Sequence, residues 1–205
     1  IEAFAAQAVI AIENVRQFRE LQTRLEREAA TGEILSVISQ LQDDEKPVFD
    51  VVLKNAAQLS GSPNAVLCLV DEERENYIFT ASWGEQYESL NFGEVGPLTN
   101  DSVVSTSIRE RRVVQVDDLA DTDLYREGNP VRRALVDNEG VRTLLGVPLI
   151  SGGQAMGCIS VRRSKVKPFA PDVIALLESF AAQAVIAIEN VRQFREIQLA
   201  NANLS

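Results

Sequence analysis

The sequence predicts an α+β domain: a central antiparallel sheet of five to six strands, with helices on one face and long helices at both ends. Three observations carry this. Apolar residues recur at helical spacing over both terminal stretches, and between them the period switches to short apolar runs joined by Gly-, Pro- and Asn-containing turns. The first helix is also written again at the end. Residues 1–22 and 177–198 match at an offset of 176, differing only at Ile1/Leu177, Ala3/Ser179 and Leu21/Ile197. A repeat of that period marks one domain in an array rather than a solenoid unit.

The elements follow in order. Over residues 2–41, Ile12, Val15, Phe18, Leu21, Leu25, Leu35, Ile38 and Leu41 recur at three- and four-residue steps. A helix of that length spans about 60 Å, more than a globular body needs, so a second helix is expected beside it as a coiled coil. Thr31-Gly32 marks a bend, since glycine weakens a helix by about 1 kcal/mol relative to alanine. Gln42–Lys46 reads as an acidic loop and Pro47 as the first turn of a helix running to Leu59. Ala65–Val70 and Tyr77–Trp83 read as a hairpin around Asp71–Glu75, and Gly84–Asn100 as loop. Asp101 or Ser102 caps a short helix through Ile108, and Arg112–Val116 is a short strand. Asp117–Gly140 is a long connection with a short helix near Val131–Val136. Val141–Ile150 and Gln154–Arg163 form a second hairpin across Ser151-Gly152-Gly153. Phe169–Ala200 is the closing helix, with Pro171 and Asp172 in its first turn.

Composition narrows the function. A net charge of −10 disfavours nucleic acid and anionic lipid as partners. No run of 18 consecutive apolar residues occurs, so no membrane span is expected. With no histidine, there is no His-ligated haem or zinc, no Ser-His or Cys-His pair and no phospho-accepting histidine. The two cysteines, Cys68 and Cys158, sit in apolar runs, as buried thiols of a reducing compartment do. The chain opens on Ile1 inside a helical pattern, so it is expected to be a piece of a longer, cytoplasmic protein, with catalysis in a separate output domain.

Four segments in order resemble the GAF family of small-molecule sensor domains. Ser102–Arg109 followed by Arg112–Asp117 is similar to the family's short helix and strand ending in Asp. Asp121–Tyr125 resembles its Asp-Pro-x-Tyr loop, with Thr122 where proline is common. Gly140–Leu149 resembles the strand ending in Pro-Leu, and Phe180–Asn190 the closing helix. The resemblance implies a PAS-like fold, a place in a tandem array upstream of a histidine kinase or cyclase in two-component-type signalling, and dimerisation through the end helices. It divides the chain into an exit helix of a preceding repeat (1–30), the domain (31–190) and a signalling helix (191–205). The cyclic-nucleotide signature and the Cys-His pair of tetrapyrrole-attaching members are missing, so no cofactor is indicated.

In GAF domains the region corresponding to Tyr125–Arg142 roofs the pocket over the sheet. Here it carries Tyr125, Arg126, Arg132, Arg133 and Arg142, which suit a small anion or an apolar acid, with Trp83, Phe92 and Tyr125 as walls. The competing view is that these arginines neutralise neighbouring aspartates. Asp117, Asp118, Asp121 and Asp123 lack calcium-loop spacing and read as structural, so no metal is expected. A dimer seam is expected along Ile12, Val15, Phe18, Leu21 and Leu25 and along Ala184, Ile188, Val191, Phe194 and Ile197, near a 3.5-residue repeat. The expected function is a ligand-sensing regulatory module that relays state through its helices. A structural spacer with a degenerate pocket is the alternative, and a GAF-type methionine sulfoxide reductase a distant third, since residues 84–140 hold no cysteine.

Overall fold

The computed structural model describes residues 46–84, 93 and 95–202, together with Gln17 and Gly32, both helical. The expected long first helix, its seam residues Ile12, Val15, Phe18, Leu21 and Leu25, and the pocket residue Phe92 lie outside the described residues. In chain order the elements are α1 (Lys46–Ser60), β1 (Asn64–Val70), β2 (Asn76–Gly84), β3 (Val95–Pro97), α2 (Val103–Glu110) and β4 (Val114–Val116). A 3₁₀ turn (Leu119–Asp121), α3 (Asp123–Arg126), α4 (Pro130–Arg133) and a π turn (Ala134–Asn138) lead to β5 (Thr143–Ser151), β6 (Gln154–Arg163) and α5 (Pro171–Ala202).

The sheet has six strands in the order β3-β2-β1-β6-β5-β4, every pair antiparallel. Both predicted hairpins form, and a short strand, Val95–Pro97, adds to the β2 edge within the stretch expected as loop. The two hairpins join across β1 and β6, where Cys68 is the direct partner of Cys158.

Helices cover both faces of the sheet, not one. Alternate residues of the central strands divide the interior. Ala65, Leu67, Leu145, Val147, Leu149, Ile159 and Val161 face α1 and α5 and make the larger core with Val52, Leu53, Phe180, Ala184 and Ile188. Val66, Cys68 and Cys158 face the other way and pack with Val104 and Ile108 of α2. A third cluster, Val103, Leu119, Val141 and Leu144, joins α2 to the connection before β5, with Leu135 and Val136 against it. The reason is in the strands. Residues 143–149 and 157–162 are buried without interruption, and a strand buried on both faces needs cover on both.

Two glycines permit this packing. A Cβ on Gly146 would sit 3.1 Å from Val103 Cγ1 and 3.3 Å from Cys158 Sγ, so the bare backbone lets α2 close on the sheet. On Gly157 it would lie 2.2 Å from the Cys68 carbonyl oxygen, which no side chain tolerates.

Helix α5 has the length and apolarity of a membrane span by composition, yet its fully buried Phe180, Ala184 and Ile188 belong to the domain's own core. Ala184, Ile188 and Val191, expected at a dimer seam, are each at most 1% exposed within the chain itself. The wide inward face of α5 takes them, so they are not available as a seam in this arrangement. Phe194 is half-buried and Ile197 is 59% exposed, beyond the last residue of the core.

Candidate functional site

The connection from β4 to β5 is held by caps that its short polar residues supply. Asp118 accepts from Ala120 N at 3.0 Å to open the 3₁₀ turn. Thr122, standing where a proline was the expected residue, caps α3 by accepting from Tyr125 N. Asn129 accepts from Arg132 N at 3.0 Å and Pro130 occupies the first turn of α4. The π turn follows directly. Leu119 N donates to the Arg142 carbonyl and Val141 N to that of Leu135, tying the connection down at both ends.

Most of its arginines are spent on neighbouring carboxylates. Arg142 grips Asp118 through two bonds, Nε to Oδ1 at 2.8 Å and Nη2 to Oδ2 at 2.5 Å, and holds that carboxyl below its ordinary range. Arg126 reaches Asp121 and Asp123, both at 2.7 Å. Arg133 lies 3.5 Å from Asp137 and 4.2 Å from the centre of the Tyr125 ring, whose hydroxyl donates to Asp137 at 2.8 Å. These groups brace the outer surface of the roof. For Arg126, Arg133 and Arg142 the neutralising role is the one the structure places; no set of three metal-binding side chains converges among the described residues.

Arg132 differs. It is 6% exposed, its Nη1 is buried with no hydrogen-bond partner among the described residues, and burial lowers its pKa. Seven residues on, at two helical turns, Glu139 has a nearly buried side chain facing Arg162 of β6 at 3.4 Å. Between them, Leu135 and Val136 pack against the third apolar cluster. Glu139 thus ties the roof to the β6 row of Cys158, Ser160 and Arg162, alternate residues of one strand face. Ser160 is fully buried, and its Oγ has no partner among the described residues. Asn64, the direct strand partner of Arg162, is fully buried beside it. Polar groups are thus gathered under the roof, inside an apolar shell.

Trp83 does not join them. It packs with the α1–α5 core, on the opposite face of the sheet. A bulge between Leu67 and Cys68 shifts the β1–β2 register by one residue, and such a shift exchanges faces along the partner strand. Sequence reasoning missed Ser160, Arg162 and Glu139. The signal available was slight: Arg162 follows the run Cys158–Val161 near the end of its strand, and Glu139 precedes Gly140 at the roof's end.

Both cysteines lie on the α2 face, fully buried and reduced. Burial pushes Cys158 up to about 12 and Cys68 well above its ordinary value, with Cys158 adding to the latter. Two consequences are expected. Ellman's reagent will label neither thiol until the chain unfolds; stoichiometric labelling of the native protein would refute this. The raised values also set a pH dependence. Above the ordinary thiol value of 9.0 the unfolded chain loses protons that the folded chain keeps, so stability falls as pH rises from there toward about 12. At about pH 10 the loss from Cys158 is on the order of 1 kcal/mol, with Cys68 acting in the same direction, and urea melts of the wild type and of a Cys68→Ala/Cys158→Ala variant will show the difference.

A six-stranded antiparallel sheet, helices packed on both faces and a capped roof over one of them define an α+β sheet-and-helix architecture. A GAF domain profile matches residues 42–189, well over half the chain. The chain belongs to the GAF family. No curated protein matches it. Among solved structures, the GAF domain of a phosphoenolpyruvate-protein phosphotransferase from Coxiella burnetii superposes with a TM-score of 0.68 at 14% identity, over 82% of this chain and 96% of that one. Residues 122 to 287 of a methyl-accepting chemotaxis protein give 0.63 at 24% identity, over 78% and 97%. A free methionine-R-sulfoxide reductase from Neisseria meningitidis, in complex with its substrate, gives 0.64 at 18% identity, over 84% and 93%. At these identities the likeness is one of fold.

Proposed function

We propose that this GAF domain is a small-molecule-sensing regulatory module of a cytoplasmic signalling protein. The observation that carries the proposal is the set of buried polar groups on the roof side of the sheet: Arg132 Nη1 and Ser160 Oγ without partners among the described residues, and Arg162 facing Glu139. The β5–β6 hairpin is the physical link. Its α2 face forms the floor below the roof, and its other face carries α5. Ser151, at the end of β5, donates to Glu189 of α5. A ligand that moves the roof therefore bears on the sheet to which α5 is fixed. A coupling of about 1–3 kcal/mol would suffice for a response of about 5- to 150-fold.

The outgoing half of the relay is assigned to the end of α5. Ile197 is exposed and continues the stripe beyond the core, which suits a partner helix in a parallel homodimer. The repeated peptide supports a tandem arrangement with adjacent domains of like kind, and a kinase or cyclase as the output. The chemotaxis protein among the structural neighbours supports a signalling context.

Native mass spectrometry of the purified chain tests the sensing reading: a bound small molecule, lost on denaturation, is the expected result. A bare chain that shows no thermal shift across a metabolite collection would favour the second reading, a structural relay. That reading is favoured by one observation, the internal neutralisation of Arg126, Arg133 and Arg142. Sedimentation tests the dimer; a monomer at micromolar concentration counts against it. The reductase reading has less behind it, because both cysteines are buried strand residues with raised pKa values.

A further inference from the structure

We infer that Arg132 is the anchor of a small monoanionic ligand, an organic carboxylate with an apolar body, held between the helical roof and β6. The inference rests on the sensing reading and names the ligand class of that same site. It begins with an unbalanced charge. Arg142, Arg126 and Arg133 each face an aspartate of the roof, and Arg162 faces Glu139. Arg132 has no carboxylate against it among the described residues, although it is more deeply buried than any of the first three. A buried guanidinium without a counter-charge is costly, and buried polar groups in folded proteins are almost always satisfied. An anion drawn from solution satisfies both demands.

The surroundings set the class. One unmatched positive charge calls for one negative charge; a dianionic phosphate would leave a buried negative charge of its own. The planar guanidinium meets a carboxylate with two parallel N–H donations. Ser160 has a hydroxyl free to donate, in the β6 row that the roof reaches through Glu139. The apolar cluster at this end of the sheet holds Leu119, Val141 and Leu144, and Leu135 and Val136, three and four residues after Arg132, pack against it. They would enclose a hydrocarbon body and leave a sugar or a nucleotide with unpaired hydroxyls.

The test is calorimetric titration and thermal shift of the whole chain with isovalerate and benzoate. Isovaleramide and benzamide serve as neutral matches and inorganic phosphate as the dianion. The variants are Arg132→Met, Arg132→Lys and, as an exposed control, Arg126→Met. The acids are expected to bind more tightly than their amides and than phosphate. Arg132→Met should weaken the acids about 10- to 100-fold, with Arg132→Lys intermediate and Arg126→Met unchanged. Without ligand, Arg132→Met should melt no lower than the wild type, because it removes an uncompensated charge. Acids that bind no better than their amides, that bind Arg132→Met undiminished, or that do not bind at all overturn the inference. An unliganded Arg132→Met that melts well below the wild type does the same, since the guanidinium would then be structural. If the acids fail while a neutral adduct appears in native mass spectrometry, the carboxylate assignment falls and the sensing reading stands. If neither appears, both fall.

Discussion

Replacing Glu139 with glutamine is expected to destabilise the domain by about 3–5 kcal/mol, the cost of breaking a buried ion pair from one side. Glu139 and Arg162 are 6% and 5% exposed at their side chains, so water screens neither. The glutamine is nearly isosteric and leaves the backbone of Glu139, which closes the π turn through its N–H to the Ala134 carbonyl, untouched. What it removes is the buried carboxylate that faces the Arg162 guanidinium at 3.4 Å. For a domain whose whole stability is of order 5–15 kcal/mol, that is a large fraction. Denaturant melts of Glu139→Gln, Arg162→Met and the double variant close a cycle. The double variant should recover much of the loss, because a pair replaced by neutral groups of like size is often tolerated. A loss below about 1 kcal/mol in Glu139→Gln would show that this pair does not fasten the roof to β6.

Truncation of Phe180 to alanine should cost about 3–5 kcal/mol. The ring is fully buried in the larger core, among side chains of α1 and of the central strands. Removing it leaves a space between α5 and the sheet that the surrounding strands cannot close without losing their own register. Ile186, six residues further along the same helix and on its other side, is 47% exposed, and Ile186→Ala should fall within about 0.5 kcal/mol of the wild type. If the two variants melted alike, α5 would not be seated as described, and transmission from sheet to helix would lose its physical basis.

Much of the architecture was legible from period and punctuation. The switch from three- and four-residue steps to apolar runs placed both hairpins, and Ser151-Gly152-Gly153 located the second turn within a residue. Ser102 capped α2 as its residue type suggests, and Pro171 opened α5. Boundaries shifted where propensity is weak: β4 starts at Val114 instead of Arg112, and β5 at Thr143 instead of Val141. The coverage of both sheet faces could have been read from AVLCLV and TLLGVPL, which do not alternate, but the one-faced arrangement was the expectation.

The candidate site was legible only in part. Arginines and aspartates crowd the connection, but composition cannot pair them. Arg126, Arg132, Arg133 and Arg142 are equivalent as letters, and only Arg132 is turned inward. The phase of a four-residue helix followed by a π turn decides which arginine points to the sheet. The same limit explains Trp83, which an extra residue in its own strand, Thr80, carries to the far face.

What the chain determined by itself is what local chemistry can specify: element types, caps, turns, the repeated helix and the family signature. These depend on near neighbours in sequence, where spacing fixes geometry. The tertiary structure alone decided which side chains meet. The pairing of Glu139 with Arg162, of Cys158 with Cys68 and the partnerless burial of Arg132 arise from packing between distant segments. The cost of burying a charge depends on what the fold brings against it, and no linear pattern carries that information.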